Sequence, residues 1–259
     1  MNILDEIVAA KRLEIEEMKI RMPLTEIENV ARNTPVTHRP FRARFEEGPV
    51  LIAEIKPKSP SAGKLIEGDP LDVANLYAKS EADVISVLTD SPYFGGNTEL
   101  LQSVRSRVPQ SILRKDFIVD EYQVYQSALI GADIYLLIAA LLTKDELADL
   151  MTLGKSLGLE TLVEVHDEQE VDRAIAAGSD VIGINNRNLK TLKIDLATTE
   201  ELMRRIPDEI PVVSESGIET AEDVRRVRAS GARGILVGTS ILRSPDPVAK
   251  IGELKQALQ

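Results

Sequence analysis

GADIYLLIAALLTKDELADLMTLGKSLGLETLVEVHDEQEVDRAIAAGSDVIGINN, residues 131–186, is the stretch whose reading decides the fold. It holds three short runs rich in Val, Ile and Leu: DIYLLIAA from Asp133, ETLVEVH from Glu160 and DVIGINN from Asp180. Between the first two lies KDELADLMTLGKSLG, whose apolar residues recur at the i, i+3, i+4 and i+7 spacing of an amphipathic helix. Strand-length apolar runs alternating with helical stretches predict βαβ units and a parallel sheet.

Outward from there, the same alternation covers the chain. Five more apolar runs read PVLIAEIK (Pro49 to Lys56), DVISVLTD from Asp83, SILRKD from Ser111, PVVSESG from Pro211 and GILVGTS from Gly234. The junctions SEADVIS at 80, IGADIYL at 130, AGSDVIG at 177 and SGARGIL at 230 form a weak internal repeat. Their spacing of roughly fifty residues equals two βα units and marks strands two, four, six and eight. Gly131, Gly178 and Gly231 suit the left-handed residue that ends a helix. An open doubly wound sheet would carry G-x-G-x-x-G after its first strand, and that pattern is missing. The expected fold is therefore α/β, a (βα)8 TIM barrel, and the 259 residues match the ~250 such a barrel takes. One domain over 1–259 is expected, with the barrel from about 49 and a helical extension over about 1–45. The extension reads as helices Asn2–Arg21 and Leu24–Arg32, either covering one end of the barrel or helping to close over a substrate.

Composition removes several classes of function. With no Cys there is no disulfide, thiolate metal site or Cys nucleophile, and His38 and His166 are too few and too distant for a His-rich metal centre. The net charge of −11 and 3% aromatic residues oppose a nucleic-acid partner, which needs basic grooves and stacking rings. No apolar stretch reaches ~18 residues and the N-terminus lacks a signal-peptide core, so no membrane association and a cytoplasmic location are expected.

Charge inside the apolar runs carries the chemistry. The odd strands end in Glu54 and Lys56, then Lys115, then Glu164, then Glu215. Barrel enzymes gather their reacting groups at the C-terminal ends of strands. Glu54 and Lys56 are two apart and share a face, as do Leu162 with Glu164 and Val213 with Glu215. Solvated strand ends would explain one such residue; five on four consecutive odd strands point to a converging ring, where burial and pairing tune acids and bases. After strands seven and eight, Ser214-Glu215-Ser216-Gly217-Ile218 and Val237-Gly238-Thr239-Ser240 match the usual position of a barrel phosphate site, with Gly217 and Gly238 allowing close backbone approach. The loop Pro57–Lys64 reads as a substrate-covering lid or as a solvated basic loop. After strand six, Asn185 and Asn186 can hold a hydroxyl and Arg187 a carboxylate.

These residues resemble one family. Glu54-Ile55-Lys56-Pro57-Lys58-Ser59-Pro60-Ser61 is similar to the E-x-K-x-x-S-P-S signature of the indole-3-glycerol phosphate synthases. Leu113–Phe117, Leu162–His166, Gly183–Arg187 and Ser214–Ile218 resemble the family's further blocks in the same order. The resemblance spans the chain and implies decarboxylating, dehydrating ring closure of 1-(2-carboxyphenylamino)-1-deoxyribulose 5-phosphate in tryptophan biosynthesis. By that resemblance Lys115 would be the general acid of ring closure. Lys56 would hold the carboxylate and act as acid in dehydration, and Glu164 would be the main proton-transferring carboxylate, assisted by Glu54. Asn185 would bind a hydroxyl, Ser59, Arg187 and Glu215 would complete the constellation, and Ser216, Gly217, Gly238 and Thr239 would approach the phosphate. The implied partner is a phosphorylated small molecule, with no metal or organic cofactor, on a monomer or homodimer. The competing expectations are another phosphate-binding barrel enzyme, such as phosphoribosylanthranilate isomerase, and a non-catalytic metabolite-binding barrel.

Overall fold

A computed structural model describes residues 3–189 and 191–259. Its sheet is a closed, all-parallel barrel of eight strands: β1 (Val50–Ile55), β2 (Val84–Leu88), β3 (Ser111–Lys115), β4 (Ile134–Ile138), β5 (Glu160–Val165), β6 (Ile182–Asn185), β7 (Val212–Glu215) and β8 (Gly234–Val237). Each strand pairs with its neighbours in sequence, and β8 closes on β1 through Val50 opposite Gly234 and Ile52 opposite Leu236. All eight apolar runs therefore form strands, as the alternation predicts. Every residue of β1 is buried, because its outer face lies under helices and its inner face fills the barrel.

The strand period of two sorts side chains into layers. Ile52, Leu113, Leu136, Leu162, Val213 and Leu236 point inward and pack together. Phe41 and Phe45, fully buried and edge to face with centroids 5.4 Å apart, plug the N-terminal end of the barrel. Helix starts are fixed locally: the Asp69, Asp120, Asp167 and Asp246 side chains accept from the first turn of the helices they precede, and Thr143 and Thr220 form capping boxes. Gly131, Gly178 and Gly231 take φ of +83°, +86° and +108° in the turns into even strands, as the repeat suggests.

Among the described residues three helices precede the barrel, α1 (Ile3–Arg21), α2 (Leu24–Asn33) and the single turn Arg44–Glu47; Asn2 lies outside the described residues. Ile15 of α1, with Ile27 and Ala31 of α2, packs on Tyr122 and Tyr125 of the helix Glu121–Leu129. The extension thus lies along the flank and reaches the C-terminal face with α1, while the segment after it plugs the opposite end. The loop after β1 differs from a plain loop. It folds into a two-residue antiparallel hairpin, Lys58 opposite Lys64 and Ser59 opposite Gly63, with the Ala62 N–H donating to Ser59 Oγ at 3.0 Å.

Candidate active site

Glu54, Lys115, Glu164 and Glu215 continue the inward layers of β1, β3, β5 and β7 at the C-terminal end. Four side chains from alternate strands make one layer of such a barrel, here a charged one. Lys115 Nζ donates to Glu164 Oε2 at 2.6 Å and to Glu215 Oε2 at 2.7 Å. Lys56, one residue beyond β1, donates to Glu54 Oε1. Asn185 Nδ2, from the end of β6, donates to Glu164 Oε1 at 3.1 Å. The five charged groups singled out in the sequence line one site as two bonded sets, Lys56 with Glu54 and Lys115 with Glu164 and Glu215, and all three carboxylates are buried.

Burying ionised groups is costly unless they are paired, and the pairing here divides the carboxylates. Burial works against charge on Lys115, but Glu164, Glu215 and Glu54 outweigh it and hold the ammonium well above its ordinary value. Burial likewise opposes ionisation of Glu164, yet Lys115 and His166 hold it well below the usual carboxylate range. For Glu215 burial prevails: opposed by Lys115 and reinforced by Glu164 and Glu54, it pushes the carboxyl up to about 7. Two carboxyls on one lysine thus differ in their readiness to take a proton, the usual arrangement of an acid and a base.

Glycines on β6 and just after β8 make room for this layer. A Cβ at Gly183 would collide with Glu215 Oε1, and one at Gly238 would lie 2.6 Å from Glu54 Oε1. The sequence reading gave Gly238 to phosphate; its nearest constraint is the Glu54 carboxylate. Ser216 and Gly217 follow β7 in consecutive left-handed conformations, φ +65° and +83°. Ser216 has no steric licence for this, at a cost of about 1–2 kcal/mol.

A cavity of about 440 Å³ opens over the ring. Its lining includes every expected site residue: the charged ring, Lys56, Asn185, Ser59, Arg187, Ser216, Gly217, Gly238 and Thr239. Burial lowers the Arg187 guanidinium from its ordinary value, and its Nη1 donates to Leu192 O at 3.3 Å. Leu4 and Ile7 of α1, with Phe94, Phe117, Leu192 and Ile194, form an apolar wall. Arg243, unnoticed in the sequence, joins Ser216 to Thr239 at the far end and adds a cation there. The adjacent Asn185 and Asn186 part company. Asn186 is 1% exposed, donates to Ser214 Oγ, Glu215 O and Ser216 O, and accepts from Thr199, so it braces the β7 loop rather than facing the cavity.

Two further charged residues escaped the sequence reading. Lys11 of α1 is buried between Asp90, 3.2 Å away, and Asp116, 3.1 Å away, on the loops after β2 and β3. Burial opposes the charge on Asp116, but Arg114 and Lys11 outweigh it and hold the carboxyl down at about 2. This network ties α1 to the end of β3, which carries Lys115, and to the end of its neighbour β2. Nothing in the helical pattern around Lys11 separates it from a solvated lysine. His166 lies beside Glu164, with Nε2 3.2 Å from Glu164 Oε1. Its signal was present: it stands two residues after Glu164 on the inward face. Among the described residues no group of three or more acidic or histidine side chains is arranged to hold a metal, and no helix is long and apolar enough to cross a membrane.

Comparison with known proteins adds an independent line. The family model described as indole-3-glycerol phosphate synthase matches residues 4–254. An indole-3-glycerol phosphate synthase of Thermoanaerobacter sp. (strain X514) is 43% identical over 257 residues, covering 97% of this chain and 96% of that protein. One from Albidiferax ferrireducens is 44% identical over 258 residues, covering 98% of each. Among solved structures, KGPDC from Streptococcus mutans superposes with a TM-score of 0.63 at 16% identity, covering 82% of this chain and 97% of its own. A 3-hexulose-6-phosphate synthase gives 0.61 at 16%, covering 81% and 100%. These two share the fold.

Proposed function

The chain belongs to the indole-3-glycerol phosphate synthase family, and we propose that Lys115 is the acid of its ring closure and Glu164 the carboxylate of its dehydration. The activity is that of a carboxy-lyase of tryptophan biosynthesis acting on a phosphorylated small molecule. In the substrate, 1-(2-carboxyphenylamino)-1-deoxyribulose 5-phosphate, the ring carbon bearing the carboxylate attacks the ketone carbon. Lys115 Nζ gives a proton to the ketone oxygen as the carbon–carbon bond forms. Carbon dioxide then departs, leaving its bonding pair to restore the aromatic ring. Water is lost next: the new hydroxyl leaves with a proton from Lys56, and Glu164 takes a proton from the adjacent CH2.

The observation that carries this assignment is the Lys115 ammonium held at 2.6 and 2.7 Å by two carboxylates of unequal proton affinity. Positioned proton transfer of this kind contributes about 10²–10⁴-fold. Glu54 orients Lys56 through their hydrogen bond. Asn185 takes a substrate hydroxyl, Lys56 and Arg187 the carboxylate, and Ser59 and Glu215 complete the surround. The phosphate lies against Ser216, Gly217, Gly238 and Thr239, where Arg243 supplies charge. The apolar wall with Leu4 and Ile7 suits the aromatic ring, which gives α1 a part in closing the site.

The whole chain reads as one barrel domain with its extension over about 1–45, working in the cytoplasm as a monomer or homodimer. The net charge of −11 argues against nucleic acid as a partner. The test is direct. Purified protein mixed with the carboxyphenylamino-deoxyribulose phosphate develops indole fluorescence; none at saturating substrate would overturn the reading.

A further inference from the structure

The two histidines of the chain sit in contrasting surroundings. His38 places Nδ1 3.2 Å from the Ala132 carbonyl at the N-terminal end of the barrel, a satisfied structural ring. His166, with a side chain 11% exposed, lies between two carboxylates. Its Nδ1 is 3.0 Å from Glu170 Oε2, and its own backbone N–H donates to the same oxygen at 2.8 Å. On the other side Nε2 is 3.2 Å from Glu164 Oε1, the oxygen that also accepts from Asn185.

Glu170 is placed by local structure. It stands in the first turn of the helix Glu168–Ala176, where the Asp167 cap receives its backbone N–H at 2.9 Å, and it is 7% exposed. The result is a line of alternating charge running inward: Glu170, His166, Glu164, Lys115, Glu215. One end is anchored in a helix and the other reaches the reacting groups. Glu170 and His166 are absent from the cavity lining, so neither meets the substrate.

We propose that His166 is a positioning residue of the reaction: its imidazolium, anchored by Glu170, keeps the Glu164 carboxylate ionised and turned toward Lys115. Nδ1 bonds to Glu170, while Nε2 makes no hydrogen bond among the described residues and lies in ion-pair range of Glu164; two flanking carboxylates favour the doubly protonated ring. Burial opposes charge on the ring, but Glu164 and Glu170 outweigh it and hold it up at about 10. The charged groups facing it are Glu164 on its own strand, Glu170 on the following helix and, beyond Glu164, Lys115 from β3. Asn185 from β6 is neutral. Glu164 thus has Oε2 bound by Lys115 and Oε1 bound by Asn185, with the His166 ring in ion-pair range of Oε1, and it stays ionised where Glu215 is partly protonated.

This inference rests on Glu164 being the proton-accepting carboxylate, and two measurements separate the claims. The 15N spectrum of the whole protein, assigned with His38→Gln, is expected to show His166 doubly protonated at pH 7. In Glu170→Gln the same ring is expected to titrate at lower pH. For activity, His166→Gln keeps a neutral side chain of similar reach. It is expected to lower kcat about tenfold with little change in KM, and to move the acidic limb of the kcat profile up by about one pH unit. Glu170→Gln is expected to move that limb the same way by less. A neutral His166 ring at pH 7, or a His166→Gln enzyme with unchanged kcat and acidic limb, would overturn the proposal. Should His166→Gln fail to fold, the ring's charge state and the Glu170→Gln limb decide. A charged His166 in a protein whose Glu164→Gln variant retains full turnover would instead remove Glu164 from its assigned role.

Discussion

The two ends of the barrel hold buried carboxylates in opposite ways. At the N-terminal end, fully enclosed Asp133 accepts the Arg39 N–H at 2.7 Å, the Ile112 N–H at 2.8 Å and Arg105 Nη1 at 2.5 Å. Nearby Glu160 accepts the Phe41 and Arg42 N–H groups, each at 2.7 Å. These carboxylates are bound mainly to backbone, with Arg105 added on Asp133, and staple the segment 39–42 under the barrel. At the C-terminal end Glu54, Glu164 and Glu215 are bound by side chains, and among the described residues Glu215 Oε1 has no hydrogen-bond partner. A carboxylate fixed by backbone N–H groups cannot change partners without unfolding something, whereas one held by mobile ammonium groups can exchange them for substrate. In these two sets the backbone-held carboxylates serve stability and the side-chain-held ones serve chemistry.

The largest effect that would break this contrast lies at Asp133. Asp133→Ala strands two buried N–H groups and an arginine, so it is expected to lower the unfolding free energy by about 3 kcal/mol in urea titrations. Turnover of the folded enzyme should stay near that of the parent. A variant of full stability that had lost turnover would make the ends alike. Next comes Lys115→Ala, expected to lower turnover by at least ~10², about 2.7 kcal/mol of barrier, while the folded state persists by circular dichroism. Near-normal turnover would remove Lys115 from the acid role.

Glu215 sharpens the contrast through pH. Its folded value of about 7 lies above the ~4.3 of an exposed glutamate, so the native state binds the proton more tightly. That contribution to stability is present below about pH 4.3 and is lost as pH rises toward about 7. Glu215→Gln removes the loss and should be about 1 kcal/mol more stable than the parent at pH 8, with a smaller gain at pH 5. Equal gains at both values would mean that Glu215 does not titrate in this window. The smallest effect concerns backbone strain. The turns at Gly131, Gly178 and Gly231 place the left-handed residue on glycine, but the turn after β7 places it on Ser216. Ser216→Gly should raise stability by about 0.5 kcal/mol, read from the shift in urea midpoint.

Much of this molecule was legible before any coordinates. Period-two apolar runs have one meaning when helical stretches separate them, so all eight strands were found within three residues of their ends. The charged ring was legible because Glu54, Lys115, Glu164 and Glu215 interrupt apolar strands where solvent cannot explain them. What stayed hidden were groups whose local pattern is ordinary. Lys11 sits in a helix full of exposed charge, and only contact with Asp90 and Asp116, 79 and 105 positions along the chain, sets it apart. Asn185 and Asn186 are chemically identical neighbours, and the direction of the strand end alone divides one into the cavity and the other into the β7 brace. The hairpin over Lys58–Lys64 was missed because its two-residue strands are too short for a period to show.

The sequence by itself determined the class of fold, the number and order of strands and which strand ends carry charge, since periodicity and burial preference are local and repeat along the chain. Tertiary structure alone decided which charges meet. Lys115 bonds to residues 49 and 100 positions away, and Glu164 is flanked by a histidine whose partner lies on the next helix. Proton affinity depends on distances of a few ångströms between strands, and closure of the barrel sets those distances.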